Sequence, residues 1–344
     1  MSDYNITAID LAKRIFHFVT VDSTGKQISK KKAKREDVIS YIMALDRGTT
    51  IAMEACSGSN YWSQEIAKLG FTVKLMKTKD VKIYAKSRQK NDYNDALAIC
   101  KAARDSELKT VRAKSKEEQD ICLLHKVRKN TIRDRVKKTN SIISSLHEYG
   151  YVTKLSKRKF SNNCLIEVEQ AYEDNKISDE VYALFMTESD EIRMLLDKEK
   201  NLKKMIVKRN KANPRAKKLI KVLGIGDINA SYLSVAPVEG YQTARDFAAS
   251  LGLVPKQFSS GDKEKLGKIT KQGDRYARTM LIHGGRSIVL RAKKVINPTD
   301  ALTKWAQKKL AEKKPFNVIA VGLANKLARI AYSIIINNAE YKAS

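Results

Sequence analysis

Cysteine, histidine and aromatic residues are all scarce in this sequence, and each shortage excludes a class of site. The four cysteines and four histidines are dispersed without short spacings, so neither a zinc site nor a disulfide framework is indicated. Aromatic residues make up only 7% of the chain, which argues against nucleic-acid recognition mainly by base stacking. No Walker-type glycine-lysine loop is present, so the sequence offers no motif for a nucleotide cofactor.

Long apolar runs are also missing. The longest apolar stretch, residues 317–339, is interrupted by Lys326 and Arg329, and the first residues have no apolar signal core. We therefore expect no membrane partner and a reducing, intracellular, cytoplasmic location.

Basic residues, by contrast, are abundant. The 344 residues include 67 Lys and Arg against 38 Asp and Glu, a net charge of +29 that is typical of proteins bound to polyanions, nucleic acid above all. Residues 201–300 carry 21 basic and 7 acidic residues, whereas residues 161–200 carry 4 basic and 11 acidic residues. We expect the first segment to contact phosphates; the second is either a solvated helical face or a protein contact.

The first 110 residues have the pattern of an α/β sheet domain. Three short β-branched segments suggest a meander, and alternating helices and strands follow. The predicted strands are residues 6–9, 16–21, 26–29, 49–53 and 71–76, and the predicted helices are residues 36–45 and 61–69.

Two long helical patterns, residues 116–149 and 179–211, predict an antiparallel arm. Periodicity alone leaves open whether the apolar seam meets its own chain or a second copy. We therefore predict three parts: an α/β domain at residues 1–110, a helical, coiled-coil arm at 111–212, and a mainly α-helical domain at 213–344.

Four acidic residues occupy unusual positions in the first domain. Asp10 and Glu54 each follow an apolar strand pattern, while Asp92 and Asp95 lie three apart at the start of a helix, on one face. Each acid alone is more often structural, and the helical pair has a simpler interpretation as an N-capping arrangement. Together they are typical of a site for two Mg²⁺ or Mn²⁺ ions that act on a phosphodiester, as in ribonuclease-H-like nucleases.

Two features of the last domain suggest contact with DNA. Gly224 and Gly226 lie in a turn between helical stretches that resembles a helix-hairpin-helix, although an ordinary turn is an equal alternative. Further on, Ser259 and Ser260 precede Gly261 in a loop that could be merely a flexible turn. The basic residues that could clamp phosphate beside that loop are Lys268, Lys271, Arg275 and Arg278.

Taken together, these motifs resemble the insertion-sequence 110 family of transposases, including its 1111 branch and the related Piv DNA invertase. The resemblance rests on Ile-Asp-Leu-Ala-Lys at residues 9–13, Met-Glu-Ala-Cys-Ser-Gly at 53–58, Lys-Asn-Asp-Tyr-Asn-Asp-Ala at 90–96, and the Gly-Leu-Val-Pro segment that begins at 252 with the glycine- and lysine-rich segment after it. It implies a RuvC-like, Asp-Glu-Asp-Asp type N-terminal domain, a dimerisation arm and a C-terminal transposase domain.

The resemblance also implies the roles of residues and partners. Asp10, Glu54, Asp92 and Asp95 would bind metal, and Ser260 would be the nucleophile, with Ser259 its nearest competitor. A structured bridge RNA from the mobile element would pair with donor and target DNA, in a homodimer or homotetramer in which the acids of one protomer work beside the serine of another. The location would be the nucleoid of a prokaryote.

The expected reaction is Mg²⁺-dependent strand exchange through a covalent phosphoserine intermediate. Two alternatives remain open: a RuvC-like Holliday-junction endonuclease that uses water, and a nucleic-acid-binding protein without catalytic activity.

Overall fold

The computed structural model describes residues 5–85, 91–258 and 265–342. The chain forms two compact units, residues 1–117 and residues 118–344, and each is described by itself. The predicted arm and the predicted C-terminal domain therefore fall in the same unit.

A five-stranded mixed sheet forms the centre of the first unit. Its strand order is β3-β2-β1-β4-β5, with β1 antiparallel to β2, β2 antiparallel to β3, and β1, β4 and β5 parallel. The predicted meander and the two later strands are thus present. The strands are β1 (Ile6–Asp10), β2 (Ile15–Val21), β3 (Gln27–Lys34), β4 (Thr50–Glu54) and β5 (Val73–Met76).

Helices cover both faces of this sheet. Because side chains alternate along a strand, Ala8 and Ala52 face one apolar cluster with Ile99, while Ile9 and Met53 face a second cluster on the other side. This explains why β1 and β4 are apolar nearly throughout. The helices are α1 (Val38–Met43), α2 (Ser59–Lys68), α3 (Thr78–Tyr84) and α4 (Asp92–Arg104), with a 3-10 turn at Arg35–Asp37.

The second unit begins with an antiparallel helix pair, α5 and α8. Arg209 pairs with Asp120 at one end, at 2.9 Å, and Lys138 pairs with Glu188 towards the other, at 2.7 Å. At this second end the apolar seam meets its own chain, since two shorter helices pack with α5 and α8 around Phe160, which is fully buried. The four helices are α5 (Lys116–Glu148), α6 (Lys157–Asn162), α7 (Cys164–Glu173) and α8 (Asp179–Asn210).

The acidic segment 161–200 has a partner within the chain. Glu188 and Glu191 both lie 2.7 Å from the Lys138 ammonium group, and Glu199 contacts Arg128 and Arg135 at 3.5 and 3.4 Å. Three of the eleven acids of this segment therefore pair with basic residues of α5.

The rest of the second unit is mainly α-helical, with one small hairpin. Its centre is α14, of which ten residues are buried. The elements are α9 (Pro214–Ile220), α10 (Asp227–Leu233), a 3-10 turn at Val238–Gly240, α11 (Ala244–Ser250), β6 (Pro255–Gln257), β7 (Leu266–Ile269), α12 (Arg275–Ala292), α13 (Ala301–Ala311) and α14 (Phe316–Ile336).

Among the described residues, α14 alone is long and apolar enough to cross a membrane by length and composition. Its apolar side chains instead fill the core against α11, α12 and α13. The same helix contains Lys326 and Arg329, the two charges that interrupt the apolar stretch in the sequence.

Candidate functional site

The sheet places Asp10 and Glu54 side by side. Ile9 pairs with Met53 in the parallel β1–β4 ladder, so the next residue of each strand, Asp10 and Glu54, lies at the same edge of the sheet. In both strands four buried residues precede the half-buried acid. Adjacent strands run about 4.8 Å apart, which brings the two carboxyl groups within reach of a shared ion.

The first turn of α4 supplies Asp92 and Asp95. This helix packs against β1 and β2, where the buried Cys100 thiol donates to the Val19 carbonyl at 3.3 Å. The N-cap is Asn91, whose side chain accepts from the Tyr93 N–H at 3.0 Å. Neither Asp92 nor Asp95 is therefore the capping residue.

The other three acids act electrostatically on Asp10. Burial, followed by the charges of Asp95, Asp92 and Glu54, raises the pKa of Asp10 to about 6. An aspartate surrounded in this way is costly to ionise. The structure thus brings the four predicted acids into one environment that a cation would stabilise.

Within residues 5–85, 91–258 and 265–342, no three Asp, Glu, His or Cys side chains already converge as metal ligands do. The acids share an environment without a finished coordination sphere, because like charges repel. As a donor set, four carboxylates suit Mg²⁺ or Mn²⁺, which prefer oxygen ligands.

Two neighbours of the acids were missed by sequence reasoning. His17 is the β2 residue opposite Asp10, and its Nδ1 lies 3.3 Å from the Asp92 carboxylate, close but without the angle of a hydrogen bond. Cys56 follows Glu54 by two residues, and burial together with the charges of Glu54 and Asp10 raises the pKa of its thiol. The register of the β1–β2 meander was the signal that could have identified His17.

The predicted nucleophile Ser260, and its competitor Ser259, lie outside the described residues. The strands on either side are described: β6 and β7 pair antiparallel, and Phe258 donates its N–H to the Lys265 carbonyl at 2.9 Å. Both strands are almost wholly exposed.

Three of the four predicted phosphate-clamping residues, Lys268, Lys271 and Arg275, are exposed. Arg278 is only 7% exposed, and its guanidinium donates to the carbonyls of Leu251 and Gln272 at 2.8 and 2.7 Å. The charged group of Arg278 thus holds the loop before α12 and, unlike the other three cations, is not exposed to a phosphate in this structure.

The glycine turn does link two helices, α9 and α10. Gly224 has a φ of +86°, and a Cβ there would lie 2.7 Å from the Ile288 side chain, so close packing on α12 requires glycine. A Cβ at Gly226 would meet nothing within 4 Å. Of the two glycines, Gly226 is the one whose surroundings leave room for a ligand.

Two family models of transposases match the parts of the chain that contain these residues. A family model described as "Transposase" matches residues 7–151, and one described as "Transposase IS116/IS110/IS902 family" matches residues 216–299. The first match includes all four acids, and the second includes the glycine turn and the β6–β7 hairpin.

Full-length relatives carry similar names. A probable family 20 transposase of Pseudomonas aeruginosa is 36% identical over 97% of both chains. The transposase for insertion sequence element IS1111A of Coxiella burnetii is 33% identical over 99% of this chain and 92% of its own. The transposase for insertion sequence element IS1328 of Yersinia enterocolitica is 30% identical over 97% of both chains. The chain therefore belongs to the IS116/IS110/IS902 family of transposases.

Proposed function

We propose that this protein is a DNA recombinase that exchanges strands by transesterification. In this proposal Asp10, Glu54, Asp92 and Asp95 form a RuvC-like metal site, and Ser260 is the nucleophile. The observation that carries it is the sheet geometry: the parallel register of β1 and β4 places Asp10 beside Glu54, and α4, whose first turn contains Asp92 and Asp95, packs against β1. Acids that only stabilised a fold would be paired with cations rather than with one another.

The mixed five-stranded sheet supports the RuvC-like assignment. Two of its adjacent parallel strands end at acids, Asp10 and Glu54. The helix that begins at Asp92 packs on one face of the sheet. Acids that come from separate elements onto one sheet edge suit a binuclear metal site.

When bound, Mg²⁺ or Mn²⁺ would neutralise the phosphate and the developing negative charge. The Ser260 hydroxyl loses its proton as its oxygen bonds to phosphorus, the bond from phosphorus to a deoxyribose oxygen breaks, and the released strand takes up a proton. Attack by a strand hydroxyl on the phosphoserine reverses these steps. The number of phosphodiester bonds is conserved, so no nucleotide cofactor is consumed.

The cations around the hairpin support a serine at this position. Lys268 on β7 is exposed, as is Lys271, which follows the strand in the chain. Such groups stabilise negative charge on a phosphorane-like transition state. We assign these two lysines to the DNA phosphates around the reacting bond.

We further propose that a homodimer or homotetramer carries out the reaction, with donor and target DNA selected by a structured bridge RNA. The net charge of +29 fits a protein that holds several nucleic-acid strands. Apolar side chains on α5 and α8 that are more than half exposed, Leu123, Leu184, Met194 and Met205, support assembly through the arm.

The test is a search for a covalent adduct. Purified protein is mixed with Mg²⁺, end-labelled junction DNA and RNA transcribed from the noncoding end of the element, and the products are separated on a denaturing gel. We expect DNA joined to protein for the wild type and for Ser259→Ala, and no adduct for Ser260→Ala or Asp10→Ala. Asp46→Ala, an exposed acid of the same unit, is the matched control and should retain the adduct.

Cleavage without an adduct, abolished by Asp10→Ala and unchanged by Ser260→Ala, would contradict the recombinase mechanism and indicate a junction endonuclease. Binding without any cleavage, unaffected by Asp10→Ala, would indicate a noncatalytic binding protein.

A further inference from the structure

A cleft of about 880 Å³ lies within the second unit. Helices α5, α8 and α12 form its walls, and the glycine turn that contains Gly224 and Gly226 lines it as well. Five cations line this cleft: Arg128, Lys129, Arg133, Lys203 and Arg275. We call it the basic cleft.

The charge of the basic cleft is only partly neutralised, because the lining includes the acid Asp227 against five cations. Arg128 contacts Glu199 at 3.5 Å, and Arg133 contacts its neighbour Asp134 at 3.0 Å. Among the described residues, Lys129, Lys203 and Arg275 form no ion pair, and all three are exposed. A concave surface that gathers cations from three helices focuses positive potential, which attracts a polyanion.

A buried network fixes one wall of the basic cleft. The Tyr276 hydroxyl lies 3.0 Å from His125 Nδ1, and the other ring nitrogen lies 3.1 Å from the Ser231 hydroxyl. Asp274, the N-cap of α12, accepts from Tyr232 at 2.6 Å. The position of Arg275, between Asp274 and Tyr276, is therefore preorganised.

The lining offers few stacking surfaces to unpaired bases. Its aromatic residues, within the described part of the chain, are Tyr276 and His283. His283 is exposed, whereas Tyr276 is partly buried against His125 and Tyr232, so this lining presents one exposed ring. Unpaired bases need stacking platforms, whereas a duplex presents its phosphates outward.

We propose that the basic cleft binds the phosphodiester backbone of duplex DNA through residues that the proposed reaction does not use. The proposal rests on the proposed function for the identity of the polymer, and it adds a second contact surface on α5 and α8. Since the contacts are to phosphate, binding there is independent of base sequence.

The test compares two triple variants of the full chain. Lys129→Gln, Lys203→Gln and Arg275→Gln together remove three charges from the basic cleft. Lys137→Gln, Lys198→Gln and Lys294→Gln together remove the same charge from exposed positions that do not line it. Affinity for a random-sequence DNA duplex is measured by fluorescence anisotropy between about 50 and 200 mM salt, in EDTA so that cleavage cannot occur.

We expect the cleft variant to bind DNA on the order of tenfold more weakly than the control variant. The slope of log affinity against log salt should fall in magnitude by about 2 to 3, since each phosphate contact contributes about 0.9. Equal losses in the two variants would overturn the proposal, because they would reflect net charge alone. A loss confined to an RNA duplex of the same length, measured in parallel, would also overturn it by identifying RNA as the occupant.

Failure of this proposal is distinguishable from failure of the proposed function. Asp10→Ala is measured in the same binding assay and should bind the duplex at least as tightly as the wild type, because it removes a negative charge. A protein that forms no adduct but loses affinity in the cleft variant would refute only the recombinase mechanism.

Discussion

His17 Nδ1 lies 3.3 Å from the carboxylate of Asp92, and this contact joins the second strand of the sheet to the first turn of α4 at the acidic site. The His17 side chain is only 15% exposed, and its ring packs edge-on against Tyr93 at 4.7 Å between centroids. His17 is thus placed to orient Asp92 rather than to contact DNA.

Replacement of His17 should weaken metal use without abolishing the reaction. Residues that orient a metal ligand typically cost 10- to 100-fold in metal affinity or activity when mutated. We expect His17→Ala to raise the Mg²⁺ concentration for half-maximal adduct formation by about tenfold, with recovery at high Mg²⁺. An unchanged Mg²⁺ dependence alongside a lower maximum would contradict this role.

The pKa of Asp10 makes the stability of the first unit depend on pH. Its folded-state pKa, about 6, lies above the ordinary value of 3.8 because of burial and the three neighbouring acids. The folded state therefore binds more protons between these values, and stability falls as pH rises from about 4 to 6. Asp10→Asn should remove this dependence.

In metal-free buffer at pH 7, Asp10→Asn should raise the free energy of unfolding by about 1 to 2 kcal/mol. Two pKa units correspond to about 3 kcal/mol, but partial exposure lets solvent screen the repulsion. Thermal melts in EDTA from pH 4 to 8 provide the measurement, with Asp46→Asn as the control at an exposed acid. A loss of stability in Asp10→Asn would show that the acids do not repel one another.

His125 gives the second unit the opposite dependence on pH. Burial, aided by the Arg128 charge, lowers the pKa of His125 from 6.5 to about 4. In the unfolded chain this histidine takes up a proton near pH 6.5, while the folded chain resists protonation down to about 4. Stability is thus fully present above pH 6.5 and is lost as pH falls through this window.

The loss should reach about 2 to 3 kcal/mol near pH 4, at 1.36 kcal/mol for each pKa unit. Urea unfolding at pH 7.5, 6 and 5, followed by a probe in the second unit, measures it. His147→Gln, at an exposed position of the same helix, should leave the pH dependence unchanged, whereas His125→Gln should reduce it. An identical pH dependence in both variants would refute the assignment.

Substitutions of Arg278 and Lys268 should have different effects on stability and on DNA binding. Arg278→Ala leaves the carbonyls of Leu251 and Gln272 without their buried donor, so we expect a loss of about 2 to 4 kcal/mol in stability. Lys268→Ala, at an exposed position on β7, should leave stability within about 0.5 kcal/mol and weaken DNA binding. Thermal melts and binding titrations on both variants check this, and a stable Arg278→Ala with weakened binding would restore the phosphate-clamping role.

Much of the fold was predictable because burial leaves a periodic signal. The sequence predicted β1 and β2 from apolar alternation, β4 from a continuous apolar run, and α5 and α8 from helical apolar spacing. The same signal failed for the second half of β3, where lysines from Lys30 onward form an exposed edge strand. Charged residues at a sheet edge protect it from pairing with other chains, so no apolar pattern marks them.

The site was predictable in part. Asp10 and Glu54 stood out because an acid at the end of an apolar strand is unusual, but only the strand order brings them together with α4. The burial of Arg278 and the contact of His17 with Asp92 depend on tertiary packing, which leaves no trace in residue spacing. The partners of the acidic segment 161–200 were hidden for the same reason, since they lie on another helix.

The exposed hairpin of β6 and β7 has a consequence for how such enzymes diversify. Strands that bury almost no apolar surface contribute little to the free energy of folding. Substitutions and insertions between these strands are therefore constrained less by folding stability than by the activity of the protein. If Ser260 is the nucleophile, as we propose, selection can change the residues beside it, and with them the choice of DNA junction, while the helical core around α14 stays unchanged.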